Sequence, residues 1–293
     1  MHISVNISII GSGVVGGIIG EGLKQLGHNV IFYDIDVKTI EKIRSKGYDA
    51  TDDIGYAITN SDVSFICVPS PTEGGKIDPS YIKSVAESIA KSLKNKDGYH
   101  LIVVKSTVTP TTTENIVIPI LEEFSGKKSG EDFGVCINPE FLTEIASSWT
   151  DDSKFARGFF DEERIIIGEI DKKSGDLLQR IYEKLDKPIF RTDLKTAEFI
   201  KYAANCALAS RISYWNEIAS ISKKLDIDAQ KVADIVALDK RIGRYGSVIT
   251  GKGFQGKCLP KDLDAFVSFA VAYSDPILLK AVKKVNDDIQ KRL

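Results

Sequence analysis

The segment Ile7-Ser-Ile-Ile-Gly11-Ser-Gly13-Val-Val-Gly16, at the start of a 293-residue chain, is an apolar run that ends in G-x-G-x-x-G and opens a helical pattern. Few short sequences constrain a backbone as much. Gly11 permits the tight turn out of a strand, Gly13 lets a pyrophosphate approach the backbone at a helix N-terminus, and Gly16 lets helix and strand pack closely. The next strand candidate, Val30-Ile-Phe-Tyr-Asp34, ends in an acid at the spacing such a βαβ unit needs. A carboxylate there accepts hydrogen bonds from both ribose hydroxyls and repels a 2′-phosphate. The pattern therefore predicts a dinucleotide site for NAD in preference to NADP.

Short β-rich and helical runs alternate as far as Thr192, the pattern of a Rossmann-like, doubly wound parallel sheet. Strands are expected at 6–10, 29–34, 63–68, 101–105, 134–137, 164–168 and 188–191, and helices at 14–26, 37–46, 81–93, 111–124 and 173–185. Beyond Thr192 the pattern changes. A stretch free of Pro and Gly runs from Leu194 to Leu225, and further helical runs cover 229–237, 261–272 and 277–291. The sequence thus predicts a cofactor domain over 1–192 and an all-helical domain with a long central helix over 193–293. The long helix is expected to bury its apolar stripe against a second subunit, giving a homodimer, with packing inside its own domain as the alternative.

Composition narrows the partners. A net charge of −2 gives no electrostatic reason to expect nucleic acid or an anionic membrane. No run has transmembrane length, and the first residues lack a signal-peptide layout. The four cysteines are widely spaced without a C-x-x-C, and the chain has only three histidines, which argues against a disulfide framework or a zinc site. No metal is expected, and a reduced cytoplasm is the expected compartment.

Cys67 and Cys136 lie in strand patterns and Cys206 in a helical run, so these three read as core residues. Cys258 differs. It sits in Gly251-Lys-Gly-Phe-Gln-Gly-Lys-Cys258-Leu-Pro-Lys-Asp262, where glycines allow close approach, Lys257 and Lys261 add positive charge, and Pro260 suits a first helical turn whose N–H groups favour a thiolate. Taken alone, this is either a nucleophile or a structural cysteine at a loop-to-helix junction. Val68-Pro-Ser-Pro-Thr72 and Lys105-Ser-Thr107-Val-Thr-Pro110 fall at the C-terminal ends of expected strands, where such sheets bind ligands. The Thr72 and Thr107 hydroxyls there either reach a cofactor or serve ordinary turns. Asn138-Pro-Glu140-Phe-Leu-Thr-Glu144 sets two acids one turn apart at a helix start, a spacing that serves a site or simply the helix N-terminus. Lys201 and Asn205 are also four apart, among alanines of the long helix. They either reach a substrate or lie on a solvated face.

In this order the motifs G-x-G-x-x-G with its acid, V-P-S-P-T, K-S-T, N-P-E-F-L-x-E, K-x-x-x-N, R-I-G and G-F-x-G-x-C-L-P-K-D resemble the UDP-glucose/GDP-mannose dehydrogenase family over essentially the whole chain. The resemblance implies a four-electron oxidation of a nucleotide-sugar C6 alcohol to the uronate, with two NAD⁺ reduced. It implies that Cys258 forms a thiohemiacetal and then a thioester, that Lys201 and Asn205 stabilise the oxyanion, and that Asp262, Glu144 and Thr107 handle protons directly or through water. Glu140, Phe141, Leu142, Lys201, Asn205, Phe254 and Gly256 are then expected around the sugar. Cofactor contacts are expected from Gly11, Gly13, Val14, Val15, Gly16, Asp34, Lys38, Thr72, Thr107, Glu144 and Lys261. Arg241 of Arg241-Ile-Gly243 looks like the arginine that reaches the hexose from a neighbouring subunit, which favours UDP-glucose.

Two departures stand out. Gln255 occupies a place where glycine is usual, and Lys252 and Lys257 replace a common proline and a small or aromatic residue. Full family members also continue into a third domain that holds the nucleotide, whereas this sequence stops at Leu293. The competing readings are a non-catalytic NAD-binding or oligomerisation relative and a two-electron β-hydroxyacid dehydrogenase; the latter leaves the Cys258 loop unexplained.

Overall fold

Apolar runs bounded by Gly, Asn and Asp form the strands of the chain, and amphipathic runs with Asp caps form several of its helices. The computed structural model describes residues 4–143, 156–247, 253–256 and 258–291. They divide into one unit of Met1–Ser70, Asp78–Leu142 and Arg157–Lys201, and a second of Pro71–Ile77, Thr143–Ala156 and Tyr202–Leu293.

The first unit carries β1 (Asn6–Ile10), α1 (Val14–Gln25), β2 (Asn29–Tyr33), α2 (Val37–Ser45), β3 (Asp49–Thr51), α3 (Ile54–Thr59) and β4 (Val63–Ile66). A hairpin of the second unit, β5 (Thr72–Glu73) and β6 (Lys76–Ile77), follows in sequence. The first unit resumes with α4 (Ser80–Leu93), β7 (His100–Val104), a π-helical turn (Thr113–Val117), α5 (Ile118–Ser125), β8 (Phe133–Ile137), β9 (Ile165–Glu169), α6 (Lys172–Tyr182) and β10 (Ile189–Thr192). Eight strands make one sheet in the order β10-β9-β8-β7-β4-β1-β2-β3. The strands from β3 to β8 in this order pair in parallel, and so do β9 and β10. The β8–β9 pair is antiparallel and holds only Cys136↔Glu169 and Ile137↔Gly168, a departure from the all-parallel expectation. A parallel neighbour needs a crossover, usually a helix, and the described residues between β8 and β9 include only the short 3-10 turn Phe159–Asp161.

Both faces of the sheet are covered. Ile7, Ile9, Phe65 and Val103 pack with Ile19 and Leu23 of α1, Ile40 of α2 and Leu178 of α6. Ile10, Ile66, Ile102 and Val104 pack with Ile58 of α3, Ile82 and Ile89 of α4 and Leu121 of α5. Burial on both sides is why the central strands are nearly continuous apolar runs.

A 31-residue helix, α7 (Leu194–Lys224), begins in the first unit and continues into the second. Its Glu198 is almost fully buried and accepts hydrogen bonds from the N–H groups of Thr111 (2.6 Å) and Thr113 (2.9 Å). Thr111 holds a left-handed φ of 77°, so the carboxylate secures a backbone turn that a non-glycine residue adopts at a cost.

In the second unit, α7 is joined by α8 (Ala229–Val236), α9 (Leu259–Ala270) and α10 (Ile277–Gln290). Tyr202, Cys206, Ile212, Phe254, Leu263, Phe266 and Val282 form the core, with Ile77 of the hairpin packed against it. The Tyr202 and Phe266 rings stack at 5.3 Å. Among the described residues no helix is long and apolar enough to cross a membrane.

Candidate active site

The glycine loop after β1 has the shape its sequence predicts. Gly11 takes a φ of 92°. A Cβ on Gly16 would lie 1.9 Å from the Gly11 carbonyl oxygen, whereas one on Gly13 would meet no atom within 4 Å. Gly16 is thus required by packing and Gly13 is not. Gly13 caps α1 without a side-chain hydrogen bond, leaving the N-terminal N–H groups of the helix for an anion. Asp34 sits at the end of β2 beside this loop. Its Oδ2 accepts the Ser12 N–H at 2.8 Å and its Oδ1 the Asp36 N–H at 3.0 Å, which fixes the carboxylate. Val14 is exposed, Val15 half-buried and Lys38 exposed on the first turn of α2. These residues fit an NAD: a helix terminus for the pyrophosphate and an anchored acid for the ribose.

The loops after β7 and β8 hold a buried polar cluster. Lys105 Nζ donates to Asn138 Oδ1 at 2.8 Å, the Tyr182 hydroxyl donates to the same oxygen at 2.6 Å, and Asn138 Nδ2 donates to the Ile166 carbonyl at 2.7 Å. Burial pulls the Lys105 ammonium below its ordinary value, against the pull of Glu162 and Glu140. Glu140 is itself buried. Its backbone carbonyl and its Oε1 accept from Lys201 Nζ, the latter at 3.3 Å, and its Oε2 accepts the Leu142 N–H at 2.8 Å. Burial alone would raise the Glu140 carboxyl, but Lys201, the Leu142 N–H and Lys105 outweigh it and hold it below the usual range. Phe141 lies under two cations, with the Arg164 guanidinium 4.6 Å and Lys201 Nζ 5.2 Å from its ring centroid. Thr107 is half-buried in the same loop as Ser106, whose hydroxyl donates to the Val68 carbonyl at 2.7 Å and ties together the loops after β4 and β7.

The second cluster belongs to the helical unit. Cys258 is exposed and occupies the N-cap of α9, followed by Pro260 in the first turn. Asp262, one turn on, is 1% exposed. Asn205 Nδ2 donates to its Oδ2 at 2.6 Å, and Lys261 Nζ pairs with its Oδ1 at 2.7 Å. Burial pushes the Cys206 thiol up to about 12, and Cys67 in the first unit likewise. These two are unreactive as thiolates, whereas Cys258 is exposed.

Lys201 and Asn205 are 5% and 7% exposed, so the pair on α7 does not lie on a solvated face. Thr72 begins the hairpin of the second unit, and its Oγ1 is buried without a hydrogen-bond partner among the described residues. Gly256 has the left-handed φ of 86°. Phe254, expected around the sugar, is 1% exposed and packs in the helical core. The Arg241 side chain is exposed and paired with Asp239 at 2.6 Å. Glu144 lies outside the described residues, as do Gly251, Lys252 and Lys257. Sequence reasoning missed Tyr182 and the burial of Lys105 and Asn138. The K-S-T and N-P-E motifs contained two of the three, but nothing in them marks a lysine as buried.

Residues 5–186 match the UDP-glucose/GDP-mannose dehydrogenase family, NAD binding domain, and residues 195–288 match the central domain of the same family. The chain is 38% identical to the GDP-mannose 6-dehydrogenase of Pseudomonas syringae pv. tomato, over 96% of this chain and 68% of that protein. It is 35% identical to the UDP-glucose 6-dehydrogenase of Haloferax volcanii, over 99% of this chain and 71% of that protein. A UDP-glucose dehydrogenase structure from the archaeon Pyrobaculum islandicum superimposes with a TM-score of 0.88 at 34% identity, covering 98% of this chain and 68% of that one. The chain therefore spans about two thirds of the length of these relatives. The glycine loop with its anchored acid lies in the first matched domain and Cys258 with its aspartate in the second. With both domains matched in sequence order, the chain belongs to the UDP-glucose/GDP-mannose dehydrogenase family.

Proposed function

We propose that the chain oxidises the C6 alcohol of a nucleoside-diphosphate hexose to the carboxylate, with UDP-glucose as the first candidate and two NAD⁺ reduced per sugar. The observation that carries this reading is the exposed Cys258 at a helix N-terminus, one turn from the buried Asp262–Asn205 pair. A simple two-electron alcohol dehydrogenase has no use for such a sulfur.

Bound nicotinamide supplies the hydride acceptor for each of two oxidations at C6. In the first, Asp262 or Glu144, directly or through water held between them and Thr107, takes the hydroxyl proton as the aldehyde forms. The Cys258 thiolate then adds to the aldehyde carbon, forming a C–S bond, and the oxygen takes up a proton to give a thiohemiacetal. Loss of that proton and of the C6 hydride leaves a thioester. Water attacks the acyl carbon, the C–S bond breaks, and carboxylate, thiolate and protons are released. The balance is one alcohol, one water and two NAD⁺ giving one carboxylate, two NADH and three protons. Lys201 and Asn205 donate to the oxygen that carries negative charge during addition and hydrolysis. Glu140, Phe141, Leu142 and Gly256 surround the sugar, and Arg241 reaches it from a second subunit. The exposed Tyr214 and Ile221 of α7 and Leu225 just beyond it support a homodimer.

GDP-mannose is the second reading of the substrate, favoured by the relatives of that name at 38–40% identity. The test is a panel of UDP- and GDP-sugars with NADH counted per sugar, run on the wild type and on Cys258→Ala. One sugar is expected to yield two NADH, and the variant no uronate. Normal uronate production by Cys258→Ala would sink the mechanism. Silence across the panel with intact NAD⁺ binding would favour a non-catalytic NAD-binding protein.

A further inference from the structure

The backbone four residues before Cys258 is held by the last helix of the chain. Asn286 Oδ1 accepts the Phe254 N–H at 2.8 Å, and Asn286 Nδ2 donates to the Phe254 carbonyl at 3.1 Å, as a neighbouring β-strand would. One turn further along α10, Gln290 Nε2 donates to the same carbonyl at 2.8 Å. Asn286 is 4% exposed and Phe254 1%, so water does not compete for these bonds. Gly253 is explained by the same contact. Its φ is 65°, and a Cβ there would lie 2.4 Å from Asn286 Oδ1. Between the helices, Lys283 of α10 bridges Asp264 of α9 at 2.9 Å and Asp287 at 3.4 Å. At the other end, the Cys258 carbonyl accepts the Asp262 N–H at 2.9 Å. Phe254 is thus held by α10, and Cys258 by its place as the cap of α9.

Asparagine is a poor interior helix residue, and its buried amide costs free energy unless both ends are bonded. At position 286 both ends are spent on one loop residue. We infer that Asn286, assisted by Gln290, is a positioning residue for Cys258, setting the register from which the thiolate adds to the aldehyde. The inference rests on the oxidation proposed above, and that chemistry singles out the dependent step. The first hydride leaves C6 before any bond to sulfur exists, so it does not need Sγ in place. Addition of the thiolate and the second hydride transfer do.

The experiment uses the full chain in excess over the nucleotide sugar that the wild type oxidises, with saturating NAD⁺, and follows NADH through a single turnover. The wild type should form two equivalents. Asn286→Ala should form the first within about threefold of the wild-type rate and the second about tenfold to a hundredfold more slowly, the scale of an ångström-sized misplacement. Gln290→Ala should slow the second equivalent alone and by less, and NAD⁺ affinity should be unchanged in both variants. Equal slowing of both equivalents, or slowing of neither, overturns the positioning role while leaving the oxidation intact. If Asn286→Ala does not fold, Asn286→Asp keeps an acceptor for the Phe254 N–H and loses the donor, and selective slowing of the second equivalent is the expected result. A wild type that forms fewer than two equivalents overturns the oxidation reading, and the positioning role with it.

Discussion

Asn205 and Asp262 are joined by one short hydrogen bond, Nδ2 donating to Oδ2 at 2.6 Å, with both residues nearly closed to solvent. The other Asp262 oxygen is paired with Lys261 at 2.7 Å. The carboxylate beside Cys258 is thus held by an amide and an ammonium, which orients it. If it moves a proton during turnover, Asp262→Asn should lower kcat roughly 10²- to 10⁴-fold. Steady-state kinetics with a parallel NAD⁺ titration check this, and a matching loss of NAD⁺ affinity would count against the proton role. Asn205→Asp would set two carboxylates at hydrogen-bonding distance. Its Tm should lie below that of wild type, since like charges at that distance repel.

Gly13 and Gly16 separate ligand binding from folding. A Cβ at 16 collides with the Gly11 backbone, while one at 13 touches nothing. Gly16→Ala should therefore lower Tm sharply. Gly13→Ala meets no atom and alters only a helix cap, so it should lower Tm far less than Gly16→Ala, yet weaken NAD⁺ binding. Calorimetry on both variants tests the pair, and tight NAD⁺ binding by Gly13→Ala would remove the pyrophosphate from this loop. Asp34→Ala should also weaken NAD⁺, and an unchanged affinity would refute the ribose contact.

Lys201 and Glu140 form a buried pair in which each partner compensates the other. Removing one charge, as in Lys201→Met, should destabilise the fold by about 3–5 kcal/mol, whereas Lys201→Met with Glu140→Leu should recover much of that loss. Denaturant unfolding of the two single variants and the double reads this directly. Because Glu140 is held below its ordinary value, its contribution is fully present above the unfolded carboxylate range near 4.5 and fades as pH falls through its lowered value. A wild-type chain should thus lose stability towards acid more steeply than Glu140→Gln.

Glu198 behaves in the opposite sense. Burial, only partly offset by the N–H groups of Thr113 and Thr111, lifts its carboxyl to about 7 from an ordinary 4.5. The folded chain then binds the extra proton between those values, so this group destabilises the fold as pH rises from 4.5 to 7, by on the order of 3 kcal/mol. Buried His100 is depressed to about 3 from 6.5 and pulls the other way, favouring the fold as pH rises through that window. The stability of Glu198→Gln relative to wild type should increase from pH 4.5 to 7. A constant difference across that range would show that the two N–H groups hold the carboxylate ionised throughout.

The seven strands read from the sequence all occur, because alternation of apolar runs with amphipathic helices reports burial directly. The short β3 and the β5–β6 hairpin, at three and two residues per strand, carry too few residues for a periodic signal. In the candidate site, legibility followed distance along the chain. Gly11, Gly13 and Gly16 were readable because one local turn explains them, and Asp34 because it closes the next strand of the same βαβ unit. The spacing of Lys201 and Asn205 was readable, but their burial was not. Lys105, Asn138 and Tyr182 converge from three separate elements, and no local pattern announces a tertiary meeting. Asn286 is the same case, a polar residue in a helix whose partner lies 32 positions away.

The two-pair contact between β8 and β9 works as a ruler. Since only Cys136 and Ile137 overlap Glu169 and Gly168, β9 and β10 overhang the rim from which the loop to Glu140 departs. α7 starts two residues after Thr192, and a Cβ on Gly168 would touch both Ile137 and Ala197. That close seat delivers Lys201, one turn on, to Glu140. Sliding β9 by one residue would move the lysine by about 3.4 Å, more than its hydrogen bonds tolerate. Insertions in the turn between α6 and β10 leave this spacing alone, whereas a change of length between Thr192 and Lys201 resets it. Tolerance to length change therefore differs here between a turn that leaves the strand pairing untouched and the short span that joins β10 to Lys201.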